Sequence, residues 1–238
     1  MGIKRETPKF SMEHWSMKNY FFCPTAVILI ALMATFVACD KNSEAKPDDA
    51  IGSTAISDIG AKKPLSNKLK IITSMGAFTL ELLPEAAPKT VENFKKWAME
   101  GFYEGIIFHR VIPDFMIQGG GHLPDMSRKP YKGTVTNEAD LAMSKGLTNT
   151  RGTISMAYVP GDPFGASVQF FINVKNNPTL NFKAKNLTDY GHCPFGRVVQ
   201  GMDVVDRISR VKTNTVNGFA NVPVDSITIE RIEEAGED

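Results

Sequence analysis

Apolar and polar positions alternate over residues 69–83. Leu69 and Ile71 precede a Ser74-Met75-Gly76 break, and Phe78, Leu80 and Leu82 follow on one face. A period of two on both sides of a turn predicts a β-hairpin. The period then lengthens. Val91, Phe94 and Ala98 form an apolar stripe behind Pro88, with Lys95 and Lys96 outside it. This predicts a helix opening at Pro88, where a missing N–H costs nothing, and closing at Gly101. Residues 106–121 are apolar and end in three glycines, and residues 122–151 are polar and turn-rich, which predicts a surface loop. Short strands are predicted over 153–157, 169–174 and 195–199, a short helix over 202–208, and a closing strand over 226–232 with Ile227 and Ile229 on one face. Pro194 cannot donate to a ladder, so an edge or bulge is expected there. Many short strands with two helices favour a mainly β, closed antiparallel barrel over a doubly wound sheet. Periodicity alone leaves barrel and sandwich open.

The first part of the chain has a different character. Residues 21–38 are apolar and uncharged, with Lys18 before them and Cys39 after them. A basic flank, an apolar stretch and then small residues resemble a secretory signal. Phe36-Val37-Ala38-Cys39 resembles a bacterial lipobox, in which the cysteine thiol is lipidated and becomes the new N-terminus. Ala38 fits the small-residue requirement, while Phe36 departs from the usual aliphatic residue. An uncleaved anchor or simple secretion stays open, because the run is near the lower length limit for a span. Each outcome places the remainder of the chain outside the cytoplasm. The expectation is a bacterial envelope protein on the periplasmic side, lipid-anchored at Cys39. Residues 40–67, rich in Asp, Lys, Ser, Ala and Gly, lack periodicity and are expected to be a flexible linker. The chain thus divides into a leader (1–39), a linker (40–67), a domain (68–233) and a short tail (234–238).

Composition narrows the function. A net charge of +1 excludes nucleic acid as a main partner. Cys23 and Cys39 belong to the leader, which leaves Cys193 alone and rules out a disulfide framework in the domain. His14, His109, His122 and His192 are far apart, no Cys/His cluster has zinc spacing, and neither metal nor cofactor is expected. The absence of a G-x-S-x-G elbow argues against a hydrolase. Fifteen Phe against two Trp and five Tyr point to a Phe-lined interior.

The run Phe108-His109-Arg110-Val111-Ile112-Pro113-Asp114-Phe115-Met116-Ile117-Gln118-Gly119-Gly120 resembles the signature of the cyclophilin family. Gly152-Thr153-Ile154-Ser155-Met156-Ala157 with Gln169-Phe170-Phe171-Ile172-Asn173, and Phe195-Gly196-Arg197-Val198-Val199-Gln200-Gly201-Met202-Asp203, resemble two further blocks. The stretch Asn137-Glu138-Ala139-Asp140 looks most like the bacterial periplasmic branch. The resemblance implies an eight-stranded antiparallel barrel capped by two helices, with a substrate groove outside it. It also implies peptidyl-prolyl cis/trans isomerase activity on proline-containing unfolded or partly folded polypeptides, and a monomer.

An X–Pro amide needs neither nucleophile nor cofactor to rotate. Its barrier of ~18–20 kcal/mol comes from resonance, and a catalyst must bind the twisted amide better than the planar one. Twisting localises a lone pair on the proline nitrogen, and the rigid cationic fork of Arg110 suits it. By resemblance Arg110 is the catalytic arginine, and Gln118 bonds substrate backbone and orients it. Phe115, Met116 and Phe171 match the proline pocket, with Leu180 and His192 at its rim. Gln169 matches a second substrate amide, and Ala157 and Tyr158 line the groove beside the residue before proline. Phe108 and Phe170 are expected in the core. His109 is expected to pack and hydrogen-bond structurally, since bond rotation needs no proton transfer. Four features depart from the family, one being Cys193 and Pro194 after His192, where apolar strand residues are usual. Thr179 stands where an aromatic rim residue is frequent, which weakens any cyclosporin binding. Tyr158 replaces a frequent Asn or Arg. Val168 replaces a frequent Ser, in a loop about one residue longer. The alternative is a proline-binding holdase with little or no catalysis.

Overall fold

The computed structural model describes residues 66–159 and 161–236. The leader with Cys39, and the linker up to residue 65, lie outside the described residues. The alternating segment forms β1 (Lys68–Thr73) and β2 (Gly76–Leu82), with Thr73 paired to Gly76 across a two-residue turn. Leu69, Ile71, Phe78, Leu80 and Leu82 are all buried, because a strand sends every second side chain to the same face. The helical stripe becomes α1 (Pro88–Met99), which buries Val91, Phe94 and Ala98. Gly101 ends it with a φ of 67°, a left-handed value suited to a C′ glycine.

The remaining strands are β3 (Arg110–Ile112), β4 (Met116–Gly119), β5 (Thr153–Met156), β6 (Phe170–Asn173), β7 (Pro194–Gln200) and β10 (Ile229–Glu234). With β1 and β2 they form one antiparallel sheet in the order β10-β1-β2-β7-β5-β6-β4-β3. A shorter hairpin, β8 (Thr213–Val216) with β9 (Phe219–Pro223), stands apart from that sheet. The sheet curls around Phe94, whose ring centre lies 5.2–5.5 Å from those of Tyr103, Phe170 and Phe195. Phe108 and Phe170 are fully buried in this main core.

The closed barrel expected from the sequence is not what the ladders form. Edges β3 and β10 share no ladder among the described residues. The segment ahead of β3 meets instead the start of β10 and the residues just before it, where Phe108 N–H donates to the Ile227 carbonyl and Ile229 N–H to that of Ile106. The physical reason is length and crowding. β3 has only three residues, and the β8–β9 hairpin fills the seam by packing Val222 and Val216 against Ile107 and Met126.

The expectation of two helices also needs correction. Besides α1 and α3 (Met202–Ser209), α2 (Ala139–Ser144) sits inside the segment expected to be surface loop. Six residues are too few for a helical period to register in the sequence. At Pro194 a bulge does occur: the β5–β7 register shifts between Ile154 and Ser155, with Pro194 opposite Ser155. β10 runs to Glu234, one residue into the expected tail. Among the described residues no helix is long and apolar enough to cross a membrane.

Candidate active site

The site arises from strand alternation on the outer face of the sheet. Val111, Ile117, Phe170 and Ile172 point into the main core. Their neighbours Arg110, Met116, Gln118 and Phe171 therefore point outwards. Register then aligns them: Arg110 pairs with Gln118, and Gln118 with Phe171, in one row across β3, β4 and β6. A one-residue slip would turn this row into the core. The β3–β4 turn brings up Phe115 through Asp114, which holds a left-handed φ of 54°, a conformation a short polar side chain tolerates.

Met116, Ala157 and Phe171 form a small apolar cluster separate from the main core, with Phe115 and Leu180 packed against it. Above it opens a cavity of about 230 Å³, lined by Arg110, Phe115, Met116, Gln118, Ala157, Tyr158, Phe171, Leu180 and His192. Of the expected site residues in the domain, only Gln169 is not in this lining. It lines an adjoining cavity of about 450 Å³ and accepts at Oε1 a 3.0 Å hydrogen bond from Gln118 Nε2. Gln118 Oε1 in turn accepts from Arg110 Nη1 at 3.3 Å. The two amides thus form a relay that holds the guanidinium. Arg110 makes no ion pair among the described residues, so no carboxylate neutralises it. Burial pulls its pKa below the ordinary value, yet a guanidinium remains charged.

His192 forms the opposite wall. Its Nδ1 lies 3.0 Å from the Met156 carbonyl, which can only accept, so Nδ1 carries the proton. The ring stacks on Tyr158 at 4.1 Å and meets Phe171 edge-on at 5.2 Å. Burial lowers its pKa and keeps it neutral. Thr179 is exposed and lines a neighbouring hollow with Tyr158 and His192 rather than the apolar cavity. His109 packs, as expected, against His122 with ring centres 4.3 Å apart. Its Nδ1 nevertheless has no hydrogen-bond partner, and burial pushes its pKa down to about 3.

Sequence reasoning missed the support behind this wall. Asn149 is buried; its Nδ2 donates to the carbonyls of Leu180 and His192, and its Oδ1 accepts from Ser155 Oγ and Asn173 Nδ2. Asn177 continues the network by donating to Asn173 Oδ1 and to the Phe115 carbonyl. Three cavity residues are tied together from behind. Asn173 ends one of the family-like blocks, but a lone Asn149 in a polar segment carries no signal of burial. The glycine run after β4 has a steric cause. Gly120, at φ 94°, passes so close to the segment leading into β6 that a Cβ would meet the Val168 carbonyl oxygen at 2.5 Å. Among the described residues no group of three or more His, Cys, Asp or Glu is placed to hold a metal ion.

Residues 68–234 match the cyclophilin type peptidyl-prolyl cis-trans isomerase/CLD family. A peptidyl-prolyl cis-trans isomerase of Streptomyces antibioticus is 49% identical over 162 residues, covering 68% of this chain and 95% of its own length. Peptidyl-prolyl cis-trans isomerase B of Escherichia coli is 45% identical over 160 residues, covering 67% and 94%. Among solved structures, a cyclophilin type isomerase of Cryptosporidium parvum determined in the presence of the dipeptide Ala-Pro has a TM-score of 0.58 at 26% identity. The match covers 71% of this chain and 99% of that one. The chain belongs to the cyclophilin-type peptidyl-prolyl cis-trans isomerase family.

Proposed function

We propose that this chain rotates X–Pro bonds by seating the proline ring on Phe115, Met116 and Phe171 while Arg110 stabilises the twisted amide. The observation that carries this reading is the single row of Arg110, Gln118 and Phe171 at the mouth of one apolar cavity. The pocket supplies flat and polarisable surface for a puckered ring. As resonance breaks, the proline nitrogen gains a lone pair, and an unneutralised guanidinium beside it favours that state over the planar amide. Because the Gln118–Gln169 relay already fixes Gln118, little reorganisation is needed at the moment of rotation. His192 takes no part in proton transfer; it is wall and rim.

The clients in this reading are envelope polypeptides, supported by the apolar run and cysteine at residues 21–39. Mass spectrometry of the mature N-terminus tests that placement: a diacylated Cys39 supports it, and an intact Met1 in a cytosolic fraction refutes it. The isomerase reading is tested on an Ala-Pro peptide in a coupled assay. Arg110→Ala should lower kcat/KM by roughly a hundredfold, the scale of losing one charge-stabilising donor. Its circular dichroism should be unchanged, because the side chain is only half-buried. Peptide binding without turnover in the unaltered protein would favour the holdase instead.

A further inference from the structure

The β8–β9 hairpin is held to the sheet by few contacts. Of residues 213–223, only Val222 and Pro223 are buried. Val222 and Val216 pack on Ile107 and Met126, and Val224 N–H donates to the Lys212 carbonyl across the base of the hairpin. Its tip is shaped by its own sequence: Asn217 and Gly218 hold φ values of 50° and 83°, the left-handed pair of a tight hairpin turn. A unit with so little apolar burial opens locally at small cost. Its neighbour is β3, the three-residue edge strand that begins with Arg110 and is flanked by β9.

The hairpin closes over a histidine pair that has no acceptor for a charge. His109 and His122 are 5% and 2% exposed, with ring centres 4.3 Å apart. His109 Nδ1 and both nitrogens of His122 are sealed from solvent and without a hydrogen-bond partner. The ring of Phe219, the first residue of β9, covers His122 at 5.3 Å. Besides the two histidines, the ionisable groups lining the hollow beside them are Arg110, Arg128, Tyr131 and Tyr158, with no carboxylate. Residues 213–223 carry no titratable side chain. Asp125 is turned to the N–H and hydroxyl of Ser127, and Lys129 to the carbonyls of Phe102 and Glu104. An imidazolium under the closed hairpin would lie near two guanidiniums and no anion, so the closed form disfavours the proton.

We propose that the β8–β9 hairpin is an acid-sensitive latch on the edge of β3: His122 takes up a proton only as the hairpin lifts, and release loosens the strand that carries Arg110. Once Phe219 moves away, the imidazole meets water and titrates near its ordinary value of ~6.5. Protons then bind the open form and not the closed one, so acid favours opening. From pH ~6.5 to ~4.5 a single imidazole raises the open-to-closed ratio by up to about a hundredfold. The effect on turnover rests on the isomerase reading, whereas the opening itself does not.

The test is an NMR titration of the full chain against His122→Phe, which fills the same space and cannot charge. In the unaltered protein the amide signals of Val216, Phe219 and Val222 should move reversibly with the His122 ring signals, while those of Val91 and Phe94 in α1 stay fixed. In His122→Phe the hairpin signals should stay fixed as well. The cis/trans exchange rate of an Ala-Pro peptide, read by NMR, should fall about three- to tenfold further in the unaltered protein than in His122→Phe between pH ~7 and ~4.5. His192 is common to both proteins and cancels from that comparison. Hairpin signals that stay fixed in the unaltered protein, or that move only together with those of α1, overturn the proposal. An equal response in His122→Phe overturns it too, as does a hairpin that opens while the exchange rate holds. Should the variant not fold, the unaltered protein decides by whether the hairpin and His122 share one midpoint. Absence of exchange at every pH by a folded protein defeats the isomerase reading instead, and leaves the latch to the amide signals.

Discussion

Among single residues, Glu138 shows how far apart in sequence a local requirement can be met. The residue before α1, Ala87, has no side chain able to cap the helix. Glu138 supplies the cap from about fifty residues on: Lys89 N–H and Thr90 N–H donate to its two carboxylate oxygens at 3.2 and 2.8 Å, and the Thr90 hydroxyl adds a third bond. The negative charge also suits the positive end of the helix. Glu138→Ala strands two N–H groups and a buried hydroxyl. It should destabilise the fold by about 1–3 kcal/mol, read as a lower urea midpoint. A midpoint equal to that of the unaltered protein would mean that water replaces the cap. The Asn137-Glu138-Ala139-Asp140 stretch is legible as a resemblance, yet nothing in its spacing tells which helix it serves.

Among elements, the site is a product of paired strands and of the loops fastened behind them. The β3–β4 hairpin presents Arg110, Phe115, Met116 and Gln118 from one short contiguous run, which is why the sequence motif and the site coincide. The other wall is assembled differently. Leu180 and His192 reach the cavity on separate loop segments, and Asn149 holds both through their carbonyls. Asn149→Ala should loosen that wall while leaving Arg110 and its amide relay untouched. KM for an Ala-Pro peptide should rise severalfold with a smaller change in kcat. A restored KM in Asn149→Asp is not expected, because a carboxylate cannot donate to two carbonyls. A loss confined to kcat would show that the network acts on the reacting amide and not on ring binding.

For the whole molecule, the three histidines among the described residues carry a pH signature. Burial is the leading cause that lowers the pKa of His109, His122 and His192, with Arg128 adding to it at His122 and His122 itself adding to it at His109. The unfolded chain takes up protons at these positions near pH ~6.5, while the folded chain stays neutral until lower pH. Protons therefore bind preferentially to the unfolded state, and stability falls as pH drops below ~6.5; at His109, whose pKa is pushed down to about 3, the fall continues to that pH. Asp140 and Asp206, held below their ordinary values by hydrogen bonds from Lys185 and Arg151, add loss in the same direction at the acid end. Urea midpoints measured from pH ~4 to ~8 should climb and then level off above pH ~7. A flat profile below pH ~6 would mean that the imidazoles reach water in the native state.

Residue order was enough to specify the elements whose periods are long enough to count: the β1–β2 hairpin, α1, α3 and the closing strand. It was also enough to single out most of the residues that line the apolar cavity, because a row on adjacent paired strands leaves a contiguous motif. The rest came from contacts between distant segments. Such contacts opened the seam between β3 and β10, because a three-residue strand meets a hairpin there instead of a partner. They placed Thr179 outside the apolar cavity, buried Asn149 behind it, and set His122 against Phe219 in a hollow shared with Arg128. Side-chain periodicity reports which way a residue faces within its own element. It carries no information on which other element will be there to meet it.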